Sequence, residues 1–468
     1  MTRRRPFKWL DLFSGSGIAS LAVHHAAYLS GYQPSSIALN HNLTACRSYK
    51  LNFQQADVRC TGVDDIHPRS LYDEGEADMI WGSPSCRPWS AGRSGKIVLN
   101  DVERSHILSV IRYADALLPR LIIIENVLQF RDAGPVDSRG RPIKSRRGEI
   151  YRSALAMLEA LGYRVEDNRE IAANFGDATT RERLFIIARR DRKKIIWPHP
   201  THAEHPESGL FGTPLPWVGF ADFVDWSRPI PSIYGRRRRL VRNTIDRLYR
   251  GLIKFGFRLI KEGVGSEPTE FAIDQAIEPM LITLRRNCDA SSLRRPIGTI
   301  TAQGRHFGLA IPQLTPLSEA YAGSEFAMVE PALLPQQSGG VLRPVSRPAP
   351  TISTSGAIGL LAPVLLKVPQ TVVAPDSFGY VPPIVHYQGS RFLLDLRYRM
   401  LQPYELQRAH STPEWFVHSG KSDEQYSQIG NGIPFKLVRA IVAANLTGDA
   451  DVRWLLDAPE PQRFEAAA

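Results

Sequence analysis

Short apolar runs alternate with amphipathic stretches through the N-terminal part of the chain. The apolar runs, each bounded by polar or turn residues, cover 7–13, 36–39, 77–81 and 121–124. Apolar positions with helical spacing fill the intervals, at 18–29, 105–118 and 149–161. Because strands that alternate with helices pair in parallel, the pattern predicts an α/β fold with a Rossmann-like, doubly wound sheet. Runs at 163–165 and 183–188 are expected to extend or close this sheet.

The pattern changes in the second half of the chain. Residues 197–391 are rich in proline, glycine and short β-like runs, with one helical stretch near 240–260. A weak internal repeat, 294–301 and 346–353, suggests duplicated β-hairpins. Helical patterning returns at 403–409 and 435–446. We therefore predict a first domain, 1–196, completed by 392–468, and a second, smaller, β-rich domain, 197–391.

Composition narrows the class of protein. The 468 residues carry a formal net charge of +11, which favours a polyanionic partner, although a basic balance also serves solubility. Four cysteines without CxxC spacing predict a reduced intracellular protein with no structural metal. We find neither a signal peptide pattern nor an apolar run long enough to cross a membrane, and we expect a cytoplasmic protein.

The first strand leads into a glycine-containing turn, Asp11-Leu12-Phe13-Ser14-Gly15-Ser16-Gly17. Glycines at this point let a ligand approach the backbone at a helix N-terminus. Ser20 stands where the dinucleotide fingerprint has its third small residue, and no Gly-Lys-Ser/Thr follows. The turn is therefore either a ligand site of another kind or a tight strand–helix connection.

Reactive side chains follow three other predicted strands. Cys86 lies in a Ser/Pro/Gly loop after 77–81, next to Arg87, and an electropositive setting favours thiolate over thiol. Glu125 and Asn126 follow 121–124, and Arg181 and Arg183 come at the start of 183–188. Because ligands collect at the carboxyl ends of strands, we expect these groups to meet. The other cysteines, Cys46, Cys60 and Cys288, are predicted to be structural.

In their order along the chain, these motifs resemble the DNA (cytosine-5) methyltransferase family, most closely its divergent phage and bacterial branch. The matching elements are Phe-x-Gly-x-Gly, the Pro-x-Cys loop, Glu-Asn-Val, Arg-x-Arg, Arg-Pro-x-x-Thr-Ile-Thr and Gly-Asn-Gly-Ile-Pro. The resemblance covers most of the chain. It implies a methyltransferase sheet in the first domain and target recognition in 197–391.

The resemblance also implies a site for S-adenosylmethionine and a set of catalytic residues, with no metal. Cys86 would be the nucleophile, Glu125 the acid at ring nitrogen 3 and Arg183 a stabiliser of the activated base, supported by Arg181 and Asn126. The donor would be bound by Phe13, Ser14, Gly15, Ser16, Gly17, Asn40, Asp65, Ile66, Pro84, Ser85 and Asn431.

Three positions depart from the family pattern. Ser85 stands where relatives have the proline before the nucleophile, with Pro84 one place earlier. Asn40 stands where an acid usually binds the donor's ribose, and Thr179 replaces the usual glutamine before the arginine pair. These changes leave room for a cytosine alkyltransferase that uses a modified donor.

The partner implied by the resemblance is double-stranded DNA. The run Arg236-Arg237-Arg238-Arg239 is predicted to bind phosphates or to form a solvated face. We expect a monomer in a prokaryotic cell or phage-infected host, with a possible cognate restriction endonuclease. The alternatives are a transfer RNA cytosine-5 methyltransferase and a catalytically silent DNA-binding relative; an unrelated oxidoreductase is disfavoured by the missing third glycine.

Overall fold

The computed structural model describes most of the chain. The described residues are 4–85, 102–137, 141–209, 212–238, 240–262, 268–275, 277–285, 288, 290–302, 306–316, 332–335, 343–344, 358–361 and 382–463. The predicted nucleophile, Cys86, lies outside them.

The chain forms two compact units. The first comprises Met1–Asp225, Leu293–Arg305 and Leu401–Ala468, and the second comprises Trp226–Ser292 and His306–Met400. These limits differ from the predicted ones, since 197–225 and 293–305 belong to the first unit and the return begins at Leu401. Hydrogen bonds explain the difference: the backbone N–H of Phe220 donates to the Arg295 carbonyl at 3.1 Å, and that of Thr180 to the Ile297 carbonyl at 2.9 Å.

Eight α-helices are described. They are α1 (Ile18–Leu29), α2 (Leu43–Asn52), α3 (Val102–Leu117), α4 (Glu149–Ala160), α5 (Arg242–Lys254), α6 (Pro403–Ala409), α7 (Ser422–Asn431) and α8 (Phe435–Thr447). Two of them, α2 and α7, have no counterpart in the sequence prediction, because their residues are largely polar and show no clear apolar spacing. The side chain of Asn42 caps α2 by accepting the Ala45 N–H at 3.0 Å.

A seven-stranded sheet forms the centre of the first unit, in the order β3-β2-β1-β4-β5-β7-β6. Its strands are β1 (Arg5–Leu12), β2 (Tyr32–Leu39), β3 (Asp57–Arg59), β4 (Met79–Gly82), β5 (Leu121–Asn126), β6 (Arg164–Ile171) and β7 (Glu182–Arg189). β3, β2, β1, β4 and β5 pair in parallel, as predicted. β7 runs antiparallel to β5 and β6, so Arg183 near its start lies beside the carboxyl end of β5.

Both faces of this sheet are covered by helices. Alternate strand residues point to opposite faces, so Trp9, Trp81 and Ile123 join one apolar core with α1 and α8, while Leu10, Ile80 and Ile122 join a second with α3 and α4. Burial on both faces explains why these strands read as continuous apolar runs in the sequence.

The second unit is β-rich, as predicted. Its main sheet has the order β10-β11-β18-β19-β14-β12-β13, and α5 packs on it through Leu248 and Leu252. The remaining strands are β8 (His202–Ala203), β9 (Leu215–Pro216), β10 (Arg258–Glu262), β11 (Pro268–Ile273), β12 (Met280–Thr283), β13 (Ala290–Ser292), β14 (Phe307–Pro316), β15 (Ala332–Pro335), β16 (Arg343–Pro344), β17 (Ile358–Leu361), β18 (Ile384–Tyr387) and β19 (Ser390–Met400). β8 and β9 pair with each other in the first unit, and β15, β16 and β17 form a separate three-stranded sheet.

Two expectations for this half of the chain need correction. The first copy of the internal repeat, 294–301, forms no hairpin: its Ile297 makes a single bridge to Thr179. The second copy, 346–353, lies outside the described residues. In the arginine run, Arg236 is half-buried and donates to the carbonyls of Ser232, Pro231 and Tyr398 at 2.6–2.8 Å. It therefore supports the fold, whereas Arg237 and Arg238 are exposed and Arg239 lies outside the described residues.

Across the described ranges, no helix has both the length and the apolar character needed to cross a membrane.

Gly430 in α7 offers a test of how the C-terminal segment packs. A Cβ at this position would lie 2.2 Å from the Thr301 carbonyl carbon, which is main chain and not free to move aside. We expect Gly430→Ala to lower the free energy of unfolding by about 2 kcal/mol through overpacking. Gly298→Ala is the control, because its Cβ would meet nothing within 4 Å. Urea denaturation followed by circular dichroism compares the two, and equal stabilities would contradict the packing described.

Candidate functional site

The carboxyl ends of β1, β2, β4 and β5 meet at one edge of the first unit. The backbone N–H of Ser14 donates to the Leu39 carbonyl at 3.0 Å, and that of Ser83 donates to the Leu12 carbonyl at 3.2 Å. These two bonds tie the turn after β1 to the ends of both neighbouring strands. The segments that follow β1 and β4 therefore start at the same edge of the sheet, beside the end of β2.

The turn between β1 and α1 has an unusual backbone. Phe13, Gly15 and Gly17 all have positive φ, of 62°, 56° and 94°. Glycine is favoured at position 17 by this positive φ and also by lack of space. A Cβ there would lie 2.9 Å from the Phe53 ring and 3.0 Å from that of Tyr49. The turn thus packs against two aromatic rings, one in α2 and one directly after it, and this packing fixes its position.

Polar groups line this turn without internal partners. The hydroxyls of Ser14 and Ser16 are buried, with 8% and 4% of each residue exposed, and neither finds a hydrogen-bond partner among the described residues. Buried polar groups in native proteins are nearly always hydrogen-bonded, so these two hydroxyls are candidates to bind a polar ligand at the strand end. The Phe13 ring lies 5.1 Å from that of His106 in α3, a neighbour the sequence did not reveal.

Asp11 lies under the same turn and is completely buried. Its carboxylate accepts a hydrogen bond from the Ser20 hydroxyl, which explains why serine stands where a dinucleotide site would have a small apolar residue. Burial raises the pKa of Asp11 to about 7, although the bond from Ser20 opposes this shift. The sequence prediction placed Asp11 in the turn but gave it no role.

Three of the residues predicted to bind the donor follow β2 and β3, namely Asn40, Asp65 and Ile66. Asn40 is half-buried, and its side chain accepts the Asn42 N–H at 2.8 Å. Asp65 is exposed and accepts the Gly62 N–H at 3.1 Å, while the Ile66 carbonyl accepts a bond from Tyr113 at 3.3 Å. Asn40 and Asp65 are therefore held by local backbone contacts, and Ile66 by a side chain of α3.

The segment that leads to Cys86 is anchored by Asn126. The Asn126 side-chain amide donates to the Pro84 carbonyl at 3.2 Å, and its oxygen accepts the Val127 N–H at 2.9 Å. Pro84 is buried and Ser85 is half-buried. The end of β5 thus fixes the start of the loop that carries the predicted nucleophile.

Glu125 and Arg183 form a buried ion pair. Nε of Arg183 lies 2.8 Å from Oε1 of Glu125, and the two side chains are 9% and 10% exposed. The antiparallel register pairs Glu125 with Phe185 and Asn126 with Leu184, which brings Arg183 to the end of β5. Nη1 of Arg183 also donates to the Glu182 carbonyl at 2.6 Å, which fixes the guanidinium in place. Two residues predicted separately are therefore in direct contact.

Arg181 and Asn431 occupy more peripheral positions. Arg181 is buried, and its guanidinium donates to the Ile300 carbonyl at 2.6 Å, so it ties β7 to the 293–305 segment. Asn431 is the exposed last residue of α7. The next residue, Gly432, lies against Ile18, since a Cβ there would be 2.5 Å from its Cδ1. Asn431 is thus brought to the start of α1, beside the turn.

The described geometry can be compared with known proteins. The sequence matches the family described as C-5 cytosine-specific DNA methylase over residues 7–210 and 376–446, more than half of the chain. The chain belongs to this family. The two matched segments include the turn after β1, the Glu125–Arg183 pair and α7.

Curated members of this family resemble the chain at modest identity. Type II methyltransferase M1.HphI of Haemophilus parahaemolyticus is 26% identical over 205 residues, which is 43% of this chain and 50% of that protein. M.AgeI of Thalassovita gelatinovora is 24% identical over 43% of this chain and 44% of its own length. The chain thus spans about half the length of these two relatives. M.XorII of Xanthomonas oryzae pv. oryzae is 22% identical over 92% of this chain and 82% of its own length.

A solved structure supports the fold assignment. The S. pombe Dnmt2 methyltransferase aligns over 95% of this chain and 99% of its own length, with a TM-score of 0.50 and 13% identity. At this identity the likeness concerns the fold alone, a Rossmann-like methyltransferase sheet with a second, sheet-containing unit.

The buried ion pair predicts a specific pattern of stabilities. Arg183→Met leaves the Glu125 carboxylate buried without its partner and should lower the free energy of unfolding by about 3 kcal/mol. The double variant Glu125→Gln/Arg183→Met should recover part of this loss. Arg146→Met is the control, because its pair with Glu149 is exposed, is screened by solvent and should contribute far less to stability. Equal losses in the buried and exposed single variants, by urea denaturation, would contradict the burial described.

Asp11 predicts a pH dependence of stability. Its folded-state pKa of about 7 lies above the ordinary 3.8, so its favourable contribution is complete below about pH 4 and is lost as pH rises through 7. The full loss is on the order of 4 kcal/mol. Asp11→Asn should therefore be more stable than the wild type at pH 8, with the difference shrinking toward pH 4. Denaturation at several pH values tests this, with the exposed Asp115→Asn as a control for net charge; parallel wild-type and Asp11→Asn profiles would count against it.

Proposed function

We propose that this chain transfers a methyl group from S-adenosylmethionine to carbon 5 of a cytosine in double-stranded DNA, through a covalent adduct with Cys86. The family supports the reaction class. The single observation that carries the proposal for this chain is the buried Glu125–Arg183 pair next to Asn126, which anchors the segment that enters the Cys86 loop.

The turn after β1 fits the methyl donor. The unpartnered hydroxyls of Ser14 and Ser16 are the groups that a polar ligand would satisfy, and the positive-φ backbone at Gly15 leaves open space, since a Cβ there would meet nothing within 4 Å. When bound, S-adenosylmethionine supplies an electrophilic methyl group. We assign its site to the turn Phe13–Gly17, with Asn40, Asp65, Ile66, Pro84, Ser85 and Asn431 around it.

Cys86 is the residue we assign to bond formation. Carbon 5 of cytosine is a weak nucleophile until a thiolate adds to carbon 6 and pushes electron density toward carbon 5. After methylation, loss of the carbon 5 proton to a base allows the bond from Cys86 to carbon 6 to break. The thiolate is then regenerated and the aromatic ring restored.

Glu125 and Arg183 would bind the cytosine during this addition. Arg183 holds Oε1 of Glu125, and we assign to Oε2 a proton that it donates to ring nitrogen 3, where negative charge develops when the thiolate adds. The guanidinium of Arg183 offsets the negative charge on the carboxylate of Glu125. It does so without rearrangement, because its second hydrogen bond, to the Glu182 carbonyl, already orients it. Arg181 acts indirectly by holding the start of β7 in place.

The substrate must leave the helix before this chemistry can occur. Carbon 6 of a stacked cytosine is inaccessible to a side chain, so the base is flipped out into the site. We assign target recognition to the second unit, where the exposed Arg237 and Arg238 are available to phosphates. A monomeric state and a cognate restriction endonuclease remain predictions.

The decisive experiment measures transfer of labelled methyl groups from S-adenosylmethionine to duplex DNA. Cys86→Ala should abolish transfer, whereas Cys288→Ala, which alters an exposed thiol of the second unit, should retain it. Bisulfite sequencing of DNA from cells that express each variant identifies the modified base and its sequence context.

Four results would redirect the proposal. Transfer by Cys86→Ala at the wild-type rate would exclude the covalent mechanism. A preference for transfer RNA over DNA would overturn the substrate, and an unlabelled product that still carries a modified cytosine would indicate a different donor. A folded wild-type protein that binds DNA without transfer would leave only the DNA-binding alternative.

A further inference from the structure

Two cysteines that the sequence analysis treated as structural lie together at the end of β2. The parallel register pairs Leu39 of β2 with Arg59 of β3, and the Asn40 N–H extends the ladder to the Arg59 carbonyl at 3.2 Å. Cys60 directly follows Arg59, so it comes alongside Asn40. Cys46 reaches the same place from the first turns of α2.

The two thiols contact the same stretch of backbone directly after β2. Sγ of Cys46 donates to the Asn40 carbonyl at 3.1 Å, and Sγ of Cys60 lies 4.0 Å from the carbonyl of His41. Because Asn40 and His41 are consecutive residues, these two contacts bring both sulfurs to the same short stretch of backbone.

The thiols differ in accessibility. Cys60 is exposed, whereas Cys46 is buried. Burial, and then the contact with Cys60, raises the pKa of the Cys46 thiol to about 12. A soluble reagent therefore meets Cys60 first, and Cys46 is protected from reagents but adjacent to whatever forms on Cys60. We therefore assign the first attack to Cys60 and the resolving step to Cys46, and the raised pKa makes that second step the slower one because only the thiolate attacks a disulfide.

We propose that Cys46 and Cys60 form a reversible intramolecular disulfide with a low-molecular-weight disulfide as oxidant. The Cys60 thiolate attacks one sulfur of the oxidant and releases one small thiolate, which takes up the proton that Cys60 has lost. Cys46 then attacks the Cys60 sulfur of the mixed disulfide, and its proton leaves with the second small thiol. Overall, two protein thiols are oxidised and one small disulfide is reduced to two thiols.

This disulfide would alter the turn that contains Asn40. Oxidation removes the bond from the Cys46 thiol to the Asn40 carbonyl and links α2 to the end of β3 across the turn. This second step rests on the proposed function, which places Asn40 in the donor site. We expect oxidation to weaken binding of S-adenosylmethionine by roughly tenfold, the effect of losing one well-placed hydrogen bond.

The covalent step is tested without any assay of activity. The full chain is incubated with oxidised glutathione and digested under acidic, alkylating conditions for mass spectrometry. We expect peptides joined through Cys46 and Cys60, with the loss of two hydrogen atoms and full reversal by dithiothreitol. Cys46→Ser should trap glutathione on Cys60, and Cys288→Ser, which removes an exposed thiol elsewhere, should leave the cross-link unchanged. Glutathione that stays on Cys60 of the wild type, with Cys46 unmodified, would overturn the proposal.

The coupling to the donor is tested by equilibrium dialysis of labelled S-adenosylmethionine. The dissociation constant should rise on oxidation of the wild type, return on reduction and stay constant in Cys46→Ser/Cys60→Ser. An unchanged constant in a sample that carries the cross-link would overturn the coupling. Absence of binding by the reduced wild type would instead count against the proposed function, because the cross-link is measured independently.

Discussion

The ion pair between Glu125 and Arg183 is the constraint on which the site depends. Two charges this deeply buried are stable only together and in a fixed geometry. The pair requires β7 to lie beside β5 and to run against it, since only this register brings Arg183 to the end of β5. The position of Asn126, and through it that of Pro84, follows from the same register.

The second constraint is the close packing below the turn after β1. Gly17 allows the turn to touch Tyr49 and Phe53, and these two rings, 4.7 Å apart, connect it to the core shared by α1 and α8. The turn is therefore supported from below by apolar contacts and presents its polar groups to the other side. Binding groups held in this manner lose little conformational freedom when a ligand arrives.

Much of this arrangement can be predicted from the sequence, and the features that cannot be predicted have physical causes. Apolar runs identified β1, β4 and β5 because burial on both faces leaves a continuous signal. Asp11 was overlooked because an acid in an apolar strand is informative only once its burial is known. The contact of Cys46 with Cys60, the bond from Arg181 to Ile300 and the antiparallel direction of β7 join residues distant in sequence, and neither periodicity nor local motifs record such pairings. The limits of the units were misplaced for the same reason, since 293–305 carries no sign that it hydrogen-bonds with 178–180.

The discontinuous first unit has a consequence for biosynthesis. Its apolar core includes Leu437 and Ile441 of α8 together with Leu21 and Val23 of α1, residues more than 400 positions apart in the sequence. Contacts of such long sequence separation slow folding and keep partly folded states exposed in the meantime. All seven strands of the sheet precede residue 190, but one face of the sheet lacks its α8 cover until that helix has been translated. A partly folded first unit with this apolar face exposed is therefore the form most prone to aggregate during synthesis.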